Sequence, residues 1–161
     1  MCSLALVVGG PGTRIGAFEM KFMVIVKASA DSEAGKMPDA EMLRAMHAFN
    51  EELFKAGVMQ AGEGLHPTSR GARVRFDGTT RTVIDGPFAE TKELIAGYWI
   101  WECANLQEAI EWLKKCPNPH HEASEVEIRQ IFAPEDFGDV APDVIAREAE
   151  MRAQMEARQK R

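Results

Sequence analysis

The chain has 161 residues, 45% of them hydrophobic, 7% aromatic and 27% charged, with a formal net charge of −6. That length supports one core without disulfides or metals, and the acid excess lacks the positive field that nucleic acid or an anionic membrane surface requires. Three cysteines in no motif argue against a disulfide framework and fit a reducing, cytoplasmic setting.

Residues 1–19 look foreign to the rest of the chain. The Gly9-Gly10-Pro11-Gly12-Thr13-Arg14 piece invites a phosphate-loop reading, but no Lys-Ser or Lys-Thr follows Gly16. The segment reads as a poorly ordered N-terminal extension ahead of the start-like Met20. It lacks the positive n-region of a signal peptide, and no apolar run, Leu4–Val8 included, approaches the ~20 residues of a membrane span.

Phe22–Lys27 is apolar on both faces and reads as a central strand. Asp31–Pro38 reads as a polar loop. Met42, Ala45, Met46, Phe49, Leu53 and Ala56 then make one apolar stripe, which predicts a helix over Asp39–Ala56 with Gly57 as its left-handed cap. Val58–Leu65 reads as a strand whose Gly62 and Gly64 suggest a bulge or a close approach by another group. Ala72–Phe76 and Thr79–Ile84, joined by Asp77-Gly78, predict a hairpin. Phe88–Glu93 reads as a charged loop and Ala96–Glu102 as a strand. A short helix over Leu106–Lys115 follows, with Leu106, Ala109, Ile110 and Leu113 inward. Glu125–Phe132 alternates as a last strand, and Pro142 opens a charged helix to about Gln159 with an expected Glu148–Arg152 pair.

The order β-α-β-β-β-β-α-β predicts an α+β class: a ferredoxin-like split βαβ antiparallel sheet with an added hairpin and a C-terminal helix. The organisation is then an extension (1–19), a domain (20–134) and a helical appendage (135–161). That appendage would lie on a partner subunit or dock another protein. Trp99 and Trp101 share one face of their strand and Tyr98 and Ile100 the other, so both faces want cover while helices supply one. A second copy packed sheet to sheet would supply the missing layer, predicting a homodimer.

Several ordered blocks carry a resemblance. These are Phe49-Asn50-Glu51-Glu52-Leu53, Ala61-Gly62-Glu63-Gly64-Leu65, Asp85-Gly86-Pro87-Phe88-Ala89-Glu90-Thr91-Lys92-Glu93, Ala109-Ile110-Glu111-Trp112 with Cys116-Pro117, and Val126-Glu127-Ile128-Arg129. Over about Met20–Phe132 the chain resembles the YCII-related family in its DGPF-motif branch. The resemblance implies a ferredoxin-like fold dimerised as an α+β barrel, and it implies no reaction. Shorter YCII-type proteins are thought to pair an Asp with a first-helix His. Here the nearest such residue, His47, lies about 140° from Met42 at 100° per residue, a departure from that pattern.

The candidate chemistry is acid–base. Asp85, at a strand end, would serve as a general base or would cap the Gly86-Pro87 turn. Glu63, between two glycines, would serve as acid or base or would be a solvated strand residue. Lys92 would stabilise developing negative charge or belong to a solvated loop. Arg73 and Arg75, with Arg81 on the paired strand, would bind a carboxylate or would guard an exposed hairpin face. His66 would offer an imidazole to a substrate or would be a loop residue before Pro67, and Phe88 and Tyr98 would line a pocket. Cys116, His120 and His121 match no zinc spacing, so no metal and no cofactor is expected. Two functions are compatible with this set: a cofactor-free isomerase or lyase-like enzyme acting on a small anionic molecule, or a non-catalytic dimeric binding or regulatory module.

Overall fold

The computed structural model describes residues 20–159, and the expectations for residues 1–19 lie outside them. Two compact units result, one ending at Gln130 and one running from Ile131 onward.

In the first unit, β1 (Met20–Lys27) is followed by α1 (Ala30–Glu33), α2 (Ala40–Lys55), β2 (Met59–Gly64), β3 (Ala72–Asp77), β4 (Thr80–Asp85), β5 (Ile95–Cys103), α3 (Leu106–Leu113) and β6 (Val126–Gln130). The four-stranded sheet has the order β2-β5-β1-β6, with every neighbour antiparallel, and β3-β4 form a separate two-stranded ribbon. This is the ferredoxin-like arrangement with an inserted hairpin.

The α2 helix starts where a capping residue stands. The Asp39 side chain accepts the Met42 amide at 2.8 Å, and the chain leaves the helix through Gly57 at φ 72°. Asn105 caps α3 in the same way, accepting the Glu108 amide at 2.9 Å. The Asp31–Pro38 stretch is not all loop. Ser29 and Ser32 form a reciprocal capping box (3.1 and 2.8 Å), enough to close the single helical turn α1.

Alternation along the strands separates two faces. Phe22, Val24 and Val26 of β1 and Trp99, Trp101 and Cys103 of β5 join Phe49 and Leu53 of α2, Val58 and Ala109 of α3 in one buried cluster. Phe49 packs edge-on to Trp99 and Trp101 at 6.3 and 6.1 Å, and the Trp99 Nε1–H donates to Asn50 Oδ1 at 3.0 Å. Both tryptophans therefore lie on the helix-covered face. Met23 and Ile25, in register with Ile100 and Tyr98, occupy the opposite one. The expected inward Leu106 is the first residue after the Asn105 cap and stays half exposed, while Trp112 packs against the core. The stripe of α2 is likewise narrower than expected, since Ala45 is exposed.

Two local expectations shift. A Cβ on Gly62 would meet Trp99 Cδ1 at 2.6 Å, so the close approach at that glycine comes from the core indole. In the hairpin, Asp77 pairs with Thr80, so Gly78-Thr79 is the turn, with Gly78 at φ 54°. A glycine with positive φ at the first central position is the type II′ pattern. That register puts Arg81 opposite Phe76, on the face away from Arg73 and Arg75. The Arg81 guanidinium covers the Phe76 ring at 4.4 Å and donates to the Gly78 and Thr80 carbonyls.

The second unit holds a 3-10 turn at Pro134–Phe137, with the Phe132 and Phe137 rings 5.5 Å apart, and α4 (Pro142–Gln159). In α4 Arg147 pairs with Glu150 at 2.7 Å, a neighbouring pair to the expected Glu148–Arg152. Val144, Met151 and Met155 are exposed. No helix among the described residues is long and apolar enough to cross a membrane.

Candidate functional site: a cation-lined cavity at the base of the hairpin

The segment between β2 and β3 turns through a 3-10 helix at Thr68–Arg70, which sets His66, Thr68 and Arg70 beside the foot of the hairpin. The hairpin closes there, because the Gly86 N–H donates to the Gly71 carbonyl at 3.0 Å. The Gly86-Pro87 peptide is cis. Gly86 is obligatory for space: a Cβ there would stand 1.7 Å from the Thr68 carbonyl oxygen. The next residue but one, Phe88, donates its N–H to Thr68 Oγ1 at 3.1 Å.

Between these segments lies a cavity of about 340 Å³, lined by Leu65, His66, Thr68, Arg70, Arg73, Phe88, Leu94, Ile95 and intervening backbone. Its volume is at the lower end for small-molecule sites. The Arg73 guanidinium lies over the Phe88 ring, 3.9 Å from its centroid. Arg70 Nη1 lies 3.2–3.3 Å from the His66 ring nitrogens. A guanidinium stacked on a ring keeps its in-plane donors available for an oxyanion. No carboxylate lines the cavity, and neither arginine has a carboxylate partner within salt-bridge distance among the described residues. Nearby, Glu93 shares a hydrogen bond with Glu90. That like-charged neighbour holds the Glu93 carboxyl above its usual range, against the pull of Arg73 and Lys27.

Of the residues singled out in the sequence, the fold brings His66, Arg73 and Phe88 together in this lining. Asp85 stands outside it, exposed at the end of β4 and in register with Ala72, a lining residue. Its carboxylate makes no hydrogen bond among the described residues, so the turn is held by Gly71 and Thr68 and not by an Asp85 cap. Glu63 and Tyr98 form a cross-strand pair on the sheet. Arg75 shares the Arg73 face of β3 but is not in the lining, and Lys92 is exposed in the 3-10 turn Thr91–Glu93. Sequence reasoning missed Arg70, Thr68 and Glu33. The His66-Pro67-Thr68-Ser69 run reads only as a strand terminator, and Arg70 just beyond it carries no local signal. Glu33, 35 positions from Thr68, gives no local signal.

The Cys116, His120 and His121 side chains go separate ways. The Cys116 thiol donates to the Pro117 carbonyl, a His120 ring nitrogen meets the Lys27 carbonyl at 2.8 Å, and His121 approaches Asp39 at 3.5 Å. Burial pushes the Cys116 thiol up to about 11.

Fold and site together define a ferredoxin-like α+β domain with a small, cation-lined cavity where the inserted hairpin meets the sheet. The chain matches the YCII-related domain over residues 20–133 and belongs to the YCII-related family. It is also 31% identical, over 103 residues, to an uncharacterised protein of Rhizobium meliloti (strain 1021), covering 64% of this chain and 83% of that protein.

Proposed function

We propose that the domain binds a small organic anion, with a flat apolar body, in the cavity beside the DGPF segment Asp85–Phe88. One observation carries the reading: Arg73, stacked on the Phe88 ring, and Arg70, beside the His66 ring nitrogens, share a lining with Leu65, Leu94 and Ile95 and, among the described residues, with no carboxylate. Such a lining favours a carboxylate or enolate head and an apolar remainder. Calorimetric titration with benzoate tests it. Binding weakened about tenfold by Arg73→Ala is expected. Equal affinity of the wild type and Arg73→Ala would remove the cavity from consideration.

A second reading, proton transfer on the bound anion without a cofactor, is favoured by His66, which places an imidazole in that lining. Asp85, across from Ala72, is the nearest candidate by register for a partner base. Glu63 and Lys92 remain the further acid–base and charge-stabilising candidates. Deuterium exchange into the methyl group of pyruvate, followed by NMR, separates the readings. Exchange above the buffer rate that is abolished in His66→Ala and Asp85→Asn supports an enzyme, and exchange at the buffer rate leaves a binding module.

The reading includes a homodimer. Met23, Ile25, Tyr98 and Ile100 make an apolar centre on the sheet face opposite the helices, and burial of such a face against a second copy supplies its cover. Sedimentation of Ile100→Asp as a monomer, against a wild-type dimer, is the expected result. A cytoplasmic location fits the free thiol of Cys116.

A further inference from the structure

We infer that Glu33 is a positioning residue for this cavity, acting through the Thr68 hydroxyl on Phe88 and so on Arg73. The inference rests on the anion-binding reading for its consequence, and on hydrogen-bond geometry for its substance.

The Thr68 hydroxyl has one proton. It lies 2.6 Å from Glu33 Oε2, and an ionised carboxylate only accepts, so the hydroxyl donates in that direction. Its lone pairs are thereby turned toward the Phe88 N–H, which donates to it at 3.1 Å. The same carboxylate takes the Thr68 backbone N–H, 3.3 Å from each oxygen. One acidic side chain thus fixes both polar groups of Thr68, and Thr68 fixes the amide of the residue whose ring carries the Arg73 guanidinium. Glu33 is itself half-buried, with no basic partner among the described residues. It is the last residue of α1, whose Ser29–Ser32 capping box holds that turn closed.

Steric contact makes the chain of bonds stiff. With Gly86 against the Thr68 carbonyl, the Thr68 segment is pinned between the carboxylate on one side and the DGPF segment on the other. A shift of Thr68 therefore moves Phe88. Without its ring beneath, the Arg73 guanidinium is no longer pre-oriented, and ordering it falls to the ligand.

The test uses NMR of the full chain with benzoate as probe. Protons over an aromatic face are shielded, so the Arg73 side-chain resonances of the wild type should be displaced upfield by Phe88. Thr68→Val removes the hydroxyl at nearly constant shape. It should abolish that displacement and weaken benzoate about tenfold. Thr68→Ser, which keeps the hydroxyl, should restore both. Glu33→Gln replaces one acceptor oxygen by a donor and should act in the same direction as Thr68→Val, which keeps the inference testable if the valine variant fails to fold. A purely structural role for Glu33 would lower the melting temperature and leave the Arg73 resonances in place, and that result overturns the inference. If the wild type does not bind benzoate, the anion-binding reading fails, while the Arg73 resonances still decide whether Glu33 positions Phe88.

Discussion

In the four-stranded sheet, β5 alternates buried and half-buried residues from Gly97 to Cys103, whereas every residue of β3 and β4 is exposed. Phe22, Val24 and Trp101 have no accessible surface, while Phe76 and Val83 are 71% and 64% exposed. Both structures are antiparallel ladders, and β3 and β4 carry Val74, Phe76, Val83 and Ile84 among their charged residues. The difference lies in what stands behind them. Two helices cover one face of the sheet, and each fully buried side chain there contributes roughly 1.5–3 kcal/mol. A bare two-stranded ribbon is marginal in water. Here it is anchored at its foot by the Gly86–Gly71 bond and by the Glu33–Thr68–Phe88 hydrogen bonds, so the weakest part of the domain is tethered where the cavity lies.

The largest effect that would sharpen this contrast is in the sheet core. Phe22→Ala should cost about 3–5 kcal/mol in urea unfolding, because a fully buried aromatic leaves a cavity that its neighbours cannot fill. A loss under about 1 kcal/mol would show that the helix-covered face does not dominate stability.

Two glycines then distinguish the regions by what they damage. Gly62→Ala forces a methyl into the Trp99 indole, and Gly86→Ala forces one into the Thr68 backbone. Each should cost about 1–3 kcal/mol or more. Only the Gly86 change should also lower benzoate affinity, since it alone separates Phe88 from the Thr68 segment. Equal effects of both on affinity would mean that the cavity responds to global strain and not to its own anchor.

Smaller effects come from the ends of elements. Asp39→Ala removes the α2 cap and should cost about 1 kcal/mol without touching benzoate binding. The last effect is confined to alkaline pH. Cys116 titrates at about 11 in the folded chain against 9.0 when unfolded, so the unfolded chain loses its proton first. Its contribution is fully present below pH 9.0 and is lost as pH rises toward 11, which thermal melts of Cys116→Ala against wild type would detect as a reduced alkaline loss. At pH 8 the thiol should alkylate far more slowly than an unperturbed cysteine.

The sequence by itself determined the strands and the longer helices and their order, though not the single turn α1. Apolar spacing from Met42 to Ala56, bracketed by Asp39 and Gly57, is a local property, and the helix runs from one cap to the other. The alternation of β1 and β5 and the Gly78 turn likewise arise from backbone preferences that each segment carries alone, even though the turn sits one residue later than the Asp-Gly pair suggested. His66, Arg73 and Phe88 were recognisable because histidine, arginine and aromatic residues near turns carry their chemistry in their side chains.

Only the tertiary structure decided which of those groups meet. The lining draws on segments from Leu65 to Ile95, and the bond that orders it reaches back to Glu33, so neither spacing nor composition within one window could reveal it. The same holds for the neighbours across the hairpin. A one-residue shift of the turn moves the partner of Arg81 from Val74 to Phe76, two positions along the same face, which lies away from Arg73 and Arg75. Gly62 and Gly86 look alike in the sequence. Their roles differ because an indole stands over one and a backbone carbonyl over the other. Local sequence sets φ, ψ and the apolar pattern, but a site made of hydrogen bonds a few ångströms long exists only once distant segments have packed.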